Sequence, residues 1–175
     1  PPRVLALISS PDSAEPRLDA TVGVGSGAGP GETAVLRLRG ELAGHAESVV
    51  APLLLPDAPV VVWWPGLAPL IPSTDPVGAL GHRRITDAAA GPEPLATLRE
   101  RATHYAPGDT DLSWTRLTPW RSMLAAALDT EPPAEVVAAA VAAEPDSPSA
   151  ELFAFWLAER LGVPVSRSDS AGPGM

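Results

Sequence analysis

The stretch PVVVWWPG, Pro59 to Gly66, sets an unbroken apolar run, Val60 to Trp64, between two prolines. A run this short, closed at both ends by residues that break regular structure, reads as a strand. Because it carries no polar alternation, it predicts a strand buried on both faces, as in a sheet layered by helices. Alternation along such a strand sends Trp63 and Trp64 to opposite faces.

Moving outward from this run, the chain alternates. Before it, Val4–Ile8, Leu18–Val24 and Ala34–Leu38 read as strands, and Gly40–Leu55 carries Leu42, Val49, Val50, Leu53 and Leu54 at near-helical spacing. After it, Asp75-Pro76 has the form of a cap followed by proline in the first turn, so a short helix is expected through His82. Helices are also expected over Leu95–His104, over Asp109–Leu117 with acidic residues at its start, from Thr118-Pro119 to Leu128, and from Ser147-Pro148 to Leu161. In the last of these, Phe153, Trp156, Leu157 and Leu161 share one face. Val136–Ala142 and Val163–Ser166 complete the strands. The pattern predicts an α/β (or α+β) fold, a mixed β-sheet packed by helices in a single main domain over residues 1–167. Residues 168–175 read as a Gly/Ser linker to a further C-terminal segment.

Composition narrows the function. The 175 residues carry a net charge of −9, and every one of the 12 basic residues is arginine. An acidic chain of this kind lacks the positive footprint that nucleic acids or anionic membranes require. With no cysteine there is no disulfide, thiolate metal site or thiol nucleophile. No apolar stretch reaches the ~20 residues of a membrane span.

The glycines of Gly23–Gly31 miss the G-x-G-x-x-G spacing and precede a strand rather than a helix, so they read as a hairpin loop. His45, His82 and His104 are not at i, i+4 spacing for zinc, and no serine sits in a G-x-S-x-G turn. The arginine- and tryptophan-bearing segments are the notable ones. His82-Arg83-Arg84-Ile85-Thr86-Asp87 puts two guanidiniums beside a carboxylate. Asp109 to Arg121 holds Trp114, Arg116, Trp120 and Arg121 with two acids, in a chain with only five tryptophans. Arginine seeks carboxylates, phosphates or aromatic faces. These residues therefore form either internal ion pairs or a binding surface.

Taken together, LLLPDAPVVVWWPG, DPVGALGHRRITDAA, YAPGDTDLSWTRLTPWRSMLAAALD and SAELFAFWLAERLGVPV resemble, in order and spacing, the OpcA family of glucose-6-phosphate dehydrogenase assembly proteins. AVLRLRGELAGHAESVVAPLLLPD is similar to its actinobacterial branch, and the resemblance runs from about Val4 to Val165. It implies a non-catalytic cytoplasmic protein, without cofactor or metal, that binds glucose-6-phosphate dehydrogenase and promotes its active oligomer. The thiol-based redox coupling of cyanobacterial members has no counterpart in a chain without cysteine. On the matched motifs, residue chemistry nominates Trp63, Trp64, Arg83, Arg84, Asp87, Trp114, Arg116, Trp120 and Arg121 as partner-binding. The alternatives are a regulatory domain sensing a sugar phosphate or nucleotide on the arginine cluster, and, ranked last, a small hydrolase or lyase using His82 and Asp87.

Overall fold

The computed structural model describes residues 3–25, 31–129 and 135–171. The chain is an α/β protein whose described strands fall into three small sheets rather than one continuous sheet. The first is mixed. Strand β1 (Arg3–Ser10) runs parallel to β3 (Glu32–Arg39), and β2 (Arg17–Val24) pairs antiparallel with β3 from the other side. The glycine-rich connection between β2 and β3 lies largely outside the described residues, although Gly25 N–H donates to the Gly31 carbonyl at 3.2 Å, as a hairpin end requires.

The apolar stretch expected as one helix over Gly40–Leu55 is broken into a 3₁₀ turn (Gly40–His45), a short helix α1 (Ala46–Val50) and a second 3₁₀ turn (Ala51–Leu53). Pro52 supplies no N–H for continuing an α-helical ladder, which accounts for the tightening there. The segment still delivers its apolar side: Ala46 and Val50 pack with Leu36 and Leu38 of β3, flanked by Leu5, Leu7 and Val49.

The second sheet is wholly parallel, in the order β4 (Val61–Trp63), β5 (Arg83–Thr86), β6 (Asp109–Asp111). The PVVVWWPG run is a strand, but it is not buried on both faces. Val61 and Trp63 are 55% and 57% exposed, while Val62 and Trp64 are half-buried. β4 is an edge strand, and among the described residues the face bearing Val61 and Trp63 lies largely open. Asp75 begins no α-helix. Its Oδ1 accepts from the Gly78 N–H at 2.9 Å, and only a 3₁₀ turn, Gly78–Leu80, follows. The expected helix over Asp109–Leu117 is likewise replaced by β6 and a four-residue helix α3 (Leu112–Thr115). Pairing with β5 and internal guanidiniums for both aspartates outweigh the weak local helical preference there.

Helix α2 (Pro94–Thr103) leads into β6, and α4 (Thr118–Leu128) follows α3. Strands β7 (Ala139–Ala143) and β8 (Val165–Asp169) form the third, parallel sheet. They are joined by α5 (Pro148–Leu161), which Ser147 caps by accepting from Ala150 N–H. Phe153 and Leu157 of α5 are buried against Leu117, Val141 and Ala143. Phe153 and Trp156 lie nearly parallel, ring centres 5.8 Å apart.

Gly78 marks a point of close approach between segments. A β-carbon there would overlap the Pro72 carbonyl oxygen and come within 3.1 Å of the Trp64 ring. We expect Gly78→Ala to cost about 1–3 kcal/mol in urea denaturation. Gly44→Ala, which enters open space, should stay within about 0.5 kcal/mol of the parent.

Candidate functional site

The parallel sheet sorts the candidate residues by face. Register places Val61 beside Arg83, Trp63 beside Ile85, and Ile85 beside Thr110. Residues side by side in register project to the same face, so Val61, Trp63, Arg83, Ile85 and Thr110 form one surface. Val62, Arg84, Thr86, Asp109 and Asp111 point to the other. Trp63 and Arg83 therefore stand on the exposed face, with Trp64 turned inward toward Gly78.

On the inner face the arginines are matched one to one with aspartates. Arg84 is buried; its Nε donates to Asp109, Nη1 to the Gly81 carbonyl at 2.9 Å and Nη2 to the Pro107 carbonyl at 2.6 Å. Gly108, at φ +98°, makes this approach feasible, since a β-carbon there would meet the His82 carbonyl oxygen at 2.5 Å. Asp111, in register with Thr86, collects the most donors. Thr86 Oγ1 donates to it at 2.7 Å, Ala88 N–H at 2.9 and 3.1 Å, Ser113 N–H at 3.0 Å and Arg101 Nη1 at 3.1 Å. The Ser113 bond is also the N-cap of α3.

Asp87 and Arg116 form the third pair, fork to fork, with Nη1 to Oδ1 at 2.8 Å. The Arg116 hydrogen bond holds the Asp87 carboxyl below its ordinary range, against burial, which pushes it up. The Arg116 guanidinium is raised in turn, chiefly by the same bond.

Three of the nominated residues, Arg84, Asp87 and Arg116, are thus held by internal partners. Trp114 lies under the Arg121 guanidinium, whose carbon is 3.9 Å from the ring centre. Trp120 sits 6.3 Å, ring centre to ring centre, from Phe153. Both indoles keep about a third of their surface exposed, at 36% and 37%, and form a second patch around α3 and α4.

The geometry separates the residues of the hydrolase reading. His82 precedes β5 and Asp87 follows it, so the four residues of that strand separate them by roughly 16 Å of extended chain. His82 Nδ1 accepts from the Val60 N–H at 3.1 Å, and Asp87 is committed to Arg116. Neither is within reach of the other for general acid–base work. Among the described residues no His, Asp or Glu cluster could hold a metal ion, and no helix is long and apolar enough to cross a membrane.

The sequence motifs located these residues but did not reveal that Arg101 belongs with them. Its only signal is position, one turn from the end of α2, facing the strand that follows.

Two outcomes follow from the pairs. A carboxyl with a depressed folded pKa contributes stability above its ordinary value of 3.8 and loses that contribution as pH falls through the folded value. Arg116→Met should therefore cost about 1–3 kcal/mol near neutral pH, with the gap to the parent closing as urea midpoints are followed below pH 3.8. Asp111→Ala should cost more, about 3–5 kcal/mol. It strands the Arg101 side chain, which is 10% exposed against 48% for Arg116.

Comparison with known proteins matches the chain in two consecutive segments. Residues 1–103 match the family model described as the glucose-6-phosphate dehydrogenase subunit N-terminal domain, and residues 107–174 match that of the C-terminal domain. Comparison with curated proteins and with solved structures finds no match. The first match alone spans more than half of the 175 residues and the second takes up most of the remainder, so the chain belongs to the OpcA family of glucose-6-phosphate dehydrogenase assembly proteins.

Proposed function

We propose that this chain is a cytoplasmic, non-catalytic factor that binds glucose-6-phosphate dehydrogenase and promotes its active oligomer, docking through the open face of the parallel sheet. Membership of the family supports the role. The observation that supports the docking surface is the placement of Trp63 and Arg83. Trp63 is a large, exposed indole on a rigid strand, flanked by Val61 and Ile85. Arg83 is exposed, and no ion pair among the described residues involves it.

An aromatic anchor beside an available guanidinium is the residue chemistry that dominates protein interfaces. The guanidinium matches a carboxylate on the partner, which suits one positive point on a chain of net charge −9. Trp114, Trp120 and Arg121 supply a second contact patch. Arg84, Asp87 and Arg116 act behind the surface, fixing β5 and β6 so that the open face keeps its shape. Activation then comes from binding the assembled dehydrogenase better than the unassembled one, and its size is bounded by that difference in affinity.

The test is co-elution with the cognate dehydrogenase by size exclusion with light scattering, with activity assayed on the same fractions. Trp63→Ala with Arg83→Ala should weaken the complex by about thirtyfold or more, with thermal stability unchanged. A folded double variant that binds and activates like the parent would exclude this face.

A further inference from the structure

We infer that the free edge of β2 joins a second copy of this chain, giving a two-fold dimer with one continuous six-stranded sheet. The inference goes beyond the assembly role and is testable without the dehydrogenase.

β2 is an edge strand: in the order β1-β3-β2 no strand among the described residues lies on its outer side. It is eight residues long, RLDATVGV, with none of the proline or lysine that commonly guards such edges. Alternate residues along it are apolar and lie on the same side as α1. Leu18, Ala20 and Val22 form the floor of a groove of about 510 Å³ between the strand and α1, with Leu5, Ala34, Leu36, Val49 and Leu53 as its other apolar lining. Their exposure is high for a sheet face that already carries a helix: Leu18 is 44% exposed, Val22 70% and, beyond them, Val24 77%. α1 packs against Leu36 and Leu38 of β3, and although the turn before it also touches β2, Leu18 and Val22 stay open.

The occupant that fits both the edge and the groove is the same strand from another copy. In an antiparallel pair with Thr21 on the two-fold axis, Leu18 faces Val24 and Ala20 faces Val22, and directly opposed residues share a face. The two apolar rows then merge on one side of the sheet. On the other side Asp19 meets Gly23, so no like charges oppose one another. The strand itself carries one arginine and one aspartate, already paired at 2.7 Å. This electrically balanced strip is where two chains of net charge −9 can approach.

The spacing also agrees. β3 and its copy would be three strand separations apart, roughly 14 Å. Two helices of about 10–12 Å diameter riding on them nearly close the valley over the paired strands. The two half-open grooves become a shared apolar interior.

Light scattering on this chain alone, from dilute to concentrated solution, decides the matter. We expect a mass near twice the 18.0 kDa of one chain, falling to one chain at low concentration. Val22→Lys should raise the dimer dissociation constant by about a hundredfold or more while circular dichroism and melting stay those of the monomer. Val4→Lys, on the opposite face of the far edge strand, should leave the dimer intact. A monomeric mass throughout the range overturns the proposal, as does a dimer that survives Val22→Lys. A chain that stays monomeric and gains only the mass of an added alternating apolar peptide would also overturn it, assigning the edge to a different protein.

Discussion

The Asp111 carboxylate is the constraint on which the middle of the molecule depends. It ends β6, caps α3, accepts from the Thr86 hydroxyl at the end of β5, holds the turn at Ala88 and pairs with Arg101 from α2. A carboxylate removed from water is costly unless hydrogen bonds replace its hydration, and here donors from four segments do so. The geometry is unforgiving, because each donor must come from a different part of the chain. Such an arrangement contributes less to net stability than to fixing where those parts stand.

The consequence is largest where the two family segments meet. Every arginine–aspartate pair in this cluster crosses from one to the other: Arg84 to Asp109, Arg101 to Asp111, Asp87 to Arg116. β5 lies in the first segment and β6 in the second, so the parallel sheet itself is shared. The two segments are halves of one folding unit, joined through a sheet edge and a set of charges that neither can satisfy alone.

That dependence also explains which features were legible from sequence. Elements defined by local signals were readable: the first N-terminal strand from its apolar run and the next two from their alternation, α4 from Thr118-Pro119, α5 from its Ser-Pro cap and the Phe153–Trp156–Leu157 stripe. Features set by distant partners were not. Asp109 and Asp111 carry local preferences suited to a helix start, yet strand pairing with Arg84 and Thr86 decides them. The Val60–Trp64 run reads as buried because periodicity reports polarity and not neighbours. Its exposure follows from being at a sheet edge, which depends on where β5 lies. Within the nominated surface, Arg83 and Arg84 are adjacent and chemically identical in sequence. Strand alternation alone makes one a buried tie and the other a free cation, and that parity is set by register with Val61 and Asp109.

The distribution of arginine links structure to role. In an acidic chain with no lysine, a guanidinium that remains available is informative because half of the 12 arginines, Arg3, Arg17, Arg84, Arg99, Arg101 and Arg116, are drawn into internal ion pairs. The open face of β4 and β5 and the free edge of β2 belong to different sheets, so a partner on one does not compete for the backbone groups of the other. A two-fold factor built on β2 would present two copies of the Trp63–Arg83 face at a fixed separation. The second engagement would then occur within an already formed complex, at an effective concentration set by geometry and not by bulk solution. A factor of this kind favours dehydrogenase subunits that are themselves symmetrically arranged, since only those meet both faces at once. Preference for the assembled state then follows from spacing, without any group on this chain taking part in the dehydrogenase's chemistry.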